Sequence, residues 1–221
     1  MFCTPDDFNL IPYNIPNVSS VVNTLQPYID KHEEEVLKKA LGVPLYNEFI
    51  SARALLPSQW VVTTAYLVGQ QVVDGISIWE AVADNTGIPP VEGTEWTKIE
   101  DNKWLMLEKG SPFVYDDDWA DEWLGLVDML VPYIFSNWLR DTFDNHSGIG
   151  VVQPKAENAE VISPSLRIVR AYNEFVEKAD TLGWFISEAN SDADPNADPP
   201  IPPAYANWTF WYPNSINTFG I

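Results

Sequence analysis

The sequence predicts a mainly α fold: a small helical bundle with an inserted β module of about 40 residues and extended N- and C-terminal arms. Three observations predict it. Apolar residues recur at three- and four-residue spacing in the segments 24–41, 123–143 and 165–188. A block of β-forming residues interrupts this pattern at 58–98. Prolines are frequent in both terminal segments, which indicates extended chain there.

The same boundaries divide the chain into four predicted parts. Residues 1–57 would form an N-terminal arm and a helical hairpin, and residues 58–98 the inserted β module. Residues 99–189 would complete the bundle, with a long loop near 144–164, and residues 190–221 would form a C-terminal tail.

The N-terminal part is predicted to contain an arm followed by two helices. The first helix should run from Thr24, which would cap it, to Leu41. Pro27 would then lie in an early turn, where proline is tolerated. Gly42 marks the end of this helix, and a second helix is predicted at about 44–56.

The two faces of the first helix differ in polarity. Its apolar face includes His32, which we interpret as a half-buried helix residue rather than a ligand. The opposite face is expected to be charged and exposed, and it comprises Asp30, Lys31, Glu33, Glu34, Lys38 and Lys39.

The inserted module is predicted to contain three or so short strands. Asp74-Gly75 lies between two runs of β formers, which is a strong signal for a tight hairpin. Trp60 and Trp96 bracket the module and would supply its small core. Two other aromatic residues could instead stack against a sugar ring or a protein partner, Tyr66 and Trp79.

An acidic run precedes the longest apolar-periodic segment of the chain. Asp116, Asp117 and Asp118 would suit the positive end of a helix that contains Trp123 and continues to Phe143. They could instead face a passage that repels phosphates. The sequence leaves both interpretations open.

The C-terminal tail combines a segment rich in Asp, Ala and Pro with a cluster of aromatic residues. Such a cluster is costly to leave in water, so we expect it to dock on its own domain or on another chain. The sequence does not decide between these two. The candidate contact residues in this tail are Tyr205, Trp208, Trp211 and Phe219.

Composition argues against several classes of function. Twelve Lys and Arg face 32 Asp and Glu, and the net charge of -20 disfavours nucleic-acid binding. A single cysteine and two histidines disfavour a metal centre. No catalytic or nucleotide-binding motif occurs, so we expect no enzyme, no catalytic residues, no metal and no cofactor. We also expect no membrane span and no signal peptide, and hence a protein made in the cytoplasm.

Four segments share a pattern of helix ends and helix faces. Leu41-Gly42 ends the first predicted helix, and after two intervening residues Leu45-Tyr46 lies on the second. The segment 125–135 is an apolar helix with an internal proline, 148–152 reads Gly-Ile-Gly-Val-Val, and 172–175 reads Tyr-Asn-Glu-Phe. With their surroundings they cover about half the chain, and they resemble the head-tail connector (adaptor, or head-completion) proteins of tailed bacteriophages.

This resemblance implies a structural protein of the virion neck, made in the host cytoplasm. Family members resemble one another in forming a ring, usually of twelve copies, between the portal and the tail. The implied partners are further copies of the chain, the portal protein, and a tail or second neck-ring protein. DNA would pass through the ring without specific binding. Ile149 and Val151 would join the tail aromatics as contacts between subunits, and Asp116, Asp117 and Asp118 would face the channel.

The insert has a second resemblance. It is similar to chitin-binding-type carbohydrate-binding modules, although Trp79 stands where their Y-x-A step usually has a tyrosine. The resemblance implies a small β fold and keeps open a carbohydrate-binding or adhesin-type function as the alternative. It is carried by residues that occur in the expected order, namely Trp60, Ala65, Tyr66, Gly69, Val72, Gly75, Trp79, Ala81, Asn85, Pro89, Pro90, Gly93 and Trp96.

Overall fold

The structure is a computed structural model. It describes residues 2–9, 12–13, 15, 19–115, 119–144, 164–197, 199–209, 211 and 213–215. The chain forms two compact units. The first comprises Met1–Gly42, Val127–Trp184 and Thr209–Ile221, and the second comprises Val43–Leu126 and Phe185–Trp208. The predicted division into four parts, with 58–98 as a separate module, stays a prediction.

The described residues contain five α-helices and one short 3-10 helix at Pro5–Phe8. The α-helices are α1 (Ser19–Leu41), α2 (Val43–Arg53), α3 (Lys103–Lys109), α4 (Leu126–Asp144) and α5 (Pro164–Ser191).

Seven strands form three small antiparallel sheets in the described part of the chain. One sheet pairs β1 with β4, the second has the order β2-β3-β5, and the third pairs β6 with β7. The strands are β1 (Ala65–Tyr66), β2 (Gln71–Asp74), β3 (Ser77–Ala81), β4 (Asn85–Thr86), β5 (Trp96–Asp101), β6 (Ser111–Tyr115) and β7 (Trp119–Trp123).

The prediction of a mainly α fold is wrong. The described residues are 49% helical and 18% strand, with the strands in three sheets, and the fold is therefore mixed α/β. The sequence pattern failed at 111–123, where β6 and β7 form a hairpin. Trp123 lies four residues before Val127, so the spacing indicated one continuous helix. In fact Trp123 ends β7, and α4 begins only at Leu126.

Two glycines allow the β6–β7 hairpin to lie close to the end of α3. A Cβ on Gly110 would lie 2.3 Å from the Trp123 carbonyl oxygen, and one on Gly125 would lie 2.6 Å from the Glu108 carbonyl oxygen. Both glycines also have positive φ, +100° and +95°. Any side chain at either position would force the two backbones apart.

The hairpin predicted at Asp74-Gly75 is confirmed. Asp74 pairs with Ser77 across a two-residue turn, and Gly75 has φ of 60°. The predicted small core of the insert is also present, because Tyr66, Val72, Ala81 and Trp96 form a buried cluster against which Trp60 and Trp79 pack.

The first unit is built around α1, α4 and part of α5. The rings of His32 on α1 and Tyr133 on α4 lie 5.8 Å apart, and those of Tyr133 and Phe175 on α5 lie 4.9 Å apart. Helix α1 begins at Ser19, earlier than predicted, so Pro27 lies inside the helix and not in its first turn. Pro27 is exposed, and it has no backbone N–H to donate to the preceding turn of the helix.

No helix among the described residues is both long and apolar enough to cross a lipid bilayer.

Candidate partner-binding surfaces

The first candidate surface involves the tail, in which Tyr205 is buried in the second unit. Its phenol donates a hydrogen bond of 2.7 Å to the Lys103 carbonyl oxygen, at the start of α3. Its backbone N–H donates to Asn190 Oδ1 at 2.7 Å. The ring packs edge-on against Trp104, with 5.8 Å between centroids. Burial raises the pKa of the phenol, so Tyr205 serves as a hydrogen-bond donor and not as a charge.

Lys103 adds a second contact to this part of the tail. Its ammonium group donates to the Ala204 carbonyl oxygen at 2.6 Å and lies 4.4 Å from the centre of the Trp104 ring. Sequence reasoning missed Lys103 and Asn190, because both bind backbone groups, which no side-chain motif marks. Tyr205 therefore packs on its own chain.

The other tail aromatics are less deeply buried. Trp211 is half-buried in the first unit, where its ring lies 5.8 Å from that of Phe175. Trp208 is half-buried as well. Phe219 lies outside the described residues. Where the structure describes these predicted contact residues, their rings are at least partly covered by the chain itself.

The N-terminal arm is held by a carboxylate of α1. Glu33 Oε2 accepts hydrogen bonds from the backbone N–H groups of Phe2 and Cys3, each at 2.8 Å. The expectation that Glu33 is exposed is wrong, since it is 9% exposed. Cys3 beside it is fully buried, and burial raises the pKa of its thiol, with the Glu33 and Asp7 carboxylates raising it further.

A spacing argument could have identified Glu33. It lies four residues after Ile29, three before Val36 and seven before Ala40, which is the spacing of a buried helix stripe. A carboxylate in such a stripe needs hydrogen-bond donors from another segment, and the N-terminal arm supplies them.

The two aromatic residues singled out in the insert do not form an open platform. Tyr66 is 5% exposed, its ring lies 5.4 Å from that of Trp96, and its phenol oxygen accepts from the Val61 N–H at 2.7 Å. Trp79 is half-buried, and its indole nitrogen has no hydrogen-bond partner among the described residues. The structure brings both residues to the same cluster, with Tyr66 inside it and Trp79 packed against it.

Five further predicted site residues lie outside the described residues, namely Asp116, Asp117, Asp118, Ile149 and Val151. The helix predicted after the three aspartates begins later than expected, because residues 119–123 form β7, which pairs with β6, and α4 begins only at Leu126.

The second unit contains a shallow cavity of about 190 Å³, and the polar groups on its wall already bind groups of the chain itself. Arg53 Nε and Glu108 Oε2 on its wall form an ion pair at 2.7 Å. Lys109 donates to Gln59 Oε1 at 3.0 Å and to the Gly75 carbonyl oxygen at 2.9 Å. These polar groups bind one another, so none is reserved for a ligand.

A buried histidine is the main titratable group of the first unit. His32 is 6% exposed, and its ring nitrogens form no hydrogen bond to a described residue. Glu35 Oε2 lies 3.5 Å from Nδ1, too far to replace a good hydrogen bond. Burial lowers the pKa of His32, and Lys31 lowers it further, while Glu35 and Asp141 oppose the change. In the described ranges, no group of three or more His, Cys, Asp or Glu could hold a metal ion.

Neither the protein-family models nor the curated proteins nor the solved structures give a match to this chain. The function must therefore be argued from the residues themselves.

Proposed function

We propose that this chain is a structural protein of the neck of a tailed phage, where copies of it form a connector ring between portal and tail. The observation that carries the proposal is the helix-glycine-helix step of the resemblance. Helix α1 ends at Leu41, Gly42 has φ of 76°, and α2 begins at Val43. Leu45 and Phe49 are then fully buried. The pattern thus coincides with a glycine-terminated helix and an apolar helix face.

The other segments of the resemblance support the proposal in the same way. The segment 125–135 covers the first half of α4, in which Met129, Leu130 and Ile134 are fully buried. The segment 172–175 lies in α5, and Phe175 is fully buried there. These positions hold helices together within a subunit, so they support the subunit fold that a connector needs.

The charge of the chain fits a ring through which DNA passes. A net charge of -20 on each copy repels phosphates, and a wall that does not hold DNA allows it to move. The partners in this proposal are further copies of the chain, the portal protein, and a tail or second neck-ring protein.

The test is to locate the chain in assembled particles. We expect antibodies against the full chain to label the junction of head and tail in negative-stain micrographs of virions of the phage that encodes it. Label at the tail tip or on the capsid surface, or absence of the chain from purified virions, would contradict the proposal.

A second measurement separates this function from carbohydrate binding. We expect the chain to co-sediment with the portal protein of the same phage and to leave a glycan array unlabelled. Binding to a glycan without co-sedimentation would favour an adhesin-type protein. The burial of Tyr66 already weighs against that alternative, because its ring cannot stack on a sugar.

A further inference from the structure

The short β1–β4 ladder is surrounded by exposed aliphatic side chains. Half of the 14 exposed large hydrophobic residues in the described part of the chain fall within 61–91. Six of them flank the ladder, with exposed fractions from 39% to 63%. We call these six residues the aliphatic surface: Val61, Val62, Leu67, Val68, Val82 and Ile88.

Backbone contacts bring these residues into one region. The segments next to β1 meet those next to β4, because the Val68 N–H donates to Asp84 Oδ1 at 3.0 Å. At the other end of the ladder, a Cβ on Gly87 would lie 3.5 Å from the Val62 carbonyl oxygen, and Ile88 is the next residue. The Gly69 N–H donates to the Ala81 carbonyl oxygen at 2.8 Å, and these are the residues next to Val68 and Val82. The six residues therefore come from segments that contact one another.

The chemistry of this surface differs from that of a sugar-binding platform. Every aromatic residue whose side chain the structure describes is buried or half-buried. The aliphatic surface, in contrast, consists of exposed Val, Leu and Ile. Sugars are recognised by flat aromatic faces, and aliphatic side chains pack against other aliphatic side chains. An apolar protein surface is therefore the better complement.

The charges beside the aliphatic surface specify the partner further. Four carboxylates lie within 80–95, on Glu80, Asp84, Glu92 and Glu95, and none of them forms an ion pair with a described residue. Glu92 and Glu95 instead accept hydrogen bonds from uncharged groups. The segment 80–95 contains no Lys or Arg. Glu95 lies next to the aliphatic surface, because the Val82 N–H donates to its carbonyl oxygen at 2.9 Å. We call these four carboxylates the acidic border, and unpaired acidic groups beside an apolar surface favour a partner with basic groups beside its own apolar residues.

We propose that the aliphatic surface is a protein-docking site, and that its partner presents aliphatic side chains bordered by Lys or Arg. A second copy of this chain is a poor occupant of this surface, because it would place the same acidic border against this one. The proposal does not depend on the connector function, since it rests on the exposure and charge of the insert alone.

The experiment measures binding of a defined probe to the full chain. The probe is a synthetic peptide of alternating Lys and Leu, and the comparison ligands are its Glu-Leu counterpart and chitohexaose. We expect the Lys-Leu peptide to bind, the other two to bind at least about tenfold more weakly, and light scattering to show no self-association through this surface.

Two triple variants of equal charge give the decisive comparison. Val62→Ser, Leu67→Ser and Val68→Ser together should raise the Kd for the Lys-Leu peptide at least about tenfold. The matched control changes three aliphatic residues outside this surface, whose exposed fractions are 86%, 55% and 50%. It should leave the Kd within about twofold of the unmodified chain. These control substitutions are Leu55→Ser, Leu124→Ser and Ile201→Ser.

A charge variant tests the acidic border without changing the aliphatic side chains. Glu80→Gln, Glu92→Gln and Glu95→Gln keep an acceptor oxygen at each position, and we expect weaker peptide binding with a smaller salt dependence.

Equal losses of peptide binding in the serine variant and its control would overturn the proposal. So would equal binding of the Glu-Leu peptide, self-association through this surface, or chitohexaose binding that the serine variant abolishes.

Discussion

The phenol of Tyr205 donates a hydrogen bond of 2.7 Å to the carbonyl oxygen of Lys103, a residue 102 positions earlier in the chain. This contact ties the C-terminal segment to the first turn of α3. It also makes the start of the tail part of a folded unit before any partner is bound.

Loss of the Tyr205 contacts should therefore destabilise the monomer. We expect Tyr205→Phe to lower the free energy of unfolding by about 1–3 kcal/mol, because the Lys103 carbonyl oxygen loses its donor. Tyr205→Ala should cost about 3–5 kcal/mol, since a cavity is added. Urea unfolding followed by circular dichroism measures both. The control is Tyr172→Phe, at a half-buried tyrosine, which should change stability by less than about 0.5 kcal/mol. Unchanged stability of Tyr205→Ala would show that the tail is not docked.

The N-terminal arm should open when its carboxylate anchor is weakened. We expect Glu33→Gln to expose Cys3, because a neutral amide holds the two backbone N–H groups less strongly than a charged carboxylate. The rate at which a thiol reagent labels the native protein measures this opening directly, since Cys3 is its one cysteine. Glu34→Gln, on the exposed side of the same helix, is the control and should leave the rate unchanged. Equally slow labelling of both variants would contradict the anchoring role of Glu33.

His32 should make the protein less stable in mild acid. Its pKa in the folded state is lowered by burial, whereas in the unfolded chain the pKa is near the ordinary histidine value of about 6.5. The contribution of His32 is therefore complete above pH 6.5 and is lost as the pH falls toward the lower folded-state pKa. The titrating neighbours are Lys31 and Glu35 on α1 and Asp141 on α4, with Tyr133 against the ring.

The measurement for His32 is the urea concentration at the midpoint of unfolding, taken at several pH values from about 7.5 to about 5.5. This is the range in which histidine titrates. We expect His32→Phe to show a smaller loss across this range than the unmodified chain, and His146→Gln to show the same loss. A proton NMR titration that finds the His32 pKa at or above the ordinary value would contradict this account.

Lys178 should be a stabilising residue of the first unit. It is 22% exposed, and its ammonium group lies 2.8 Å from Asp128 Oδ1 and 2.9 Å from Glu174 Oε1. Burial alone would lower the pKa of Lys178, but the hydrogen bonds to both carboxylates raise it. We expect Lys178→Met to cost about 2–4 kcal/mol in urea unfolding, because two partly buried carboxylates lose their partner.

The matched control for Lys178 is Lys39→Met. Lys39 pairs with Glu35 at 2.6 Å, but its side chain is 47% exposed. The loss there should be below about 1 kcal/mol, since water screens the pair. Similar losses for the two variants would mean that burial does not strengthen the Lys178 interactions.

Local sequence signals predicted part of this fold well. Asp74-Gly75 predicted the turn between β2 and β3, and Gly42 predicted the end of α1. In both cases the direction of the chain is set by a glycine with positive φ. The β6–β7 hairpin was missed because Trp123 and Val127 are also spaced as helix neighbours. Spacing alone cannot separate the end of one element from the start of the next.

The candidate surfaces were harder to predict than the helices. Tyr205 is bound through the Lys103 carbonyl oxygen, and every residue has such a group, so no residue type marks the contact. The sequence does contain a signal for the aliphatic surface, because Val61-Val62 and Leu67-Val68 are adjacent apolar pairs. Both members of each pair are exposed, so neither pair belongs to the core of the insert.

The clamp between Asn190 and Tyr205 closes a surface loop whose ends are fixed on both sides. Asn190 Nδ2 donates to the Tyr205 carbonyl oxygen at 3.3 Å, and within the loop the backbones of Asp194 and Ile201 pair with each other. The entropy of closing a loop grows only with the logarithm of its length, by about 0.6 kcal/mol for each doubling. An epitope or fluorescent tag inserted near Asn196 would thus leave the contact between Asn190 and Tyr205 in place. The loop is therefore a suitable internal site for labelling the protein.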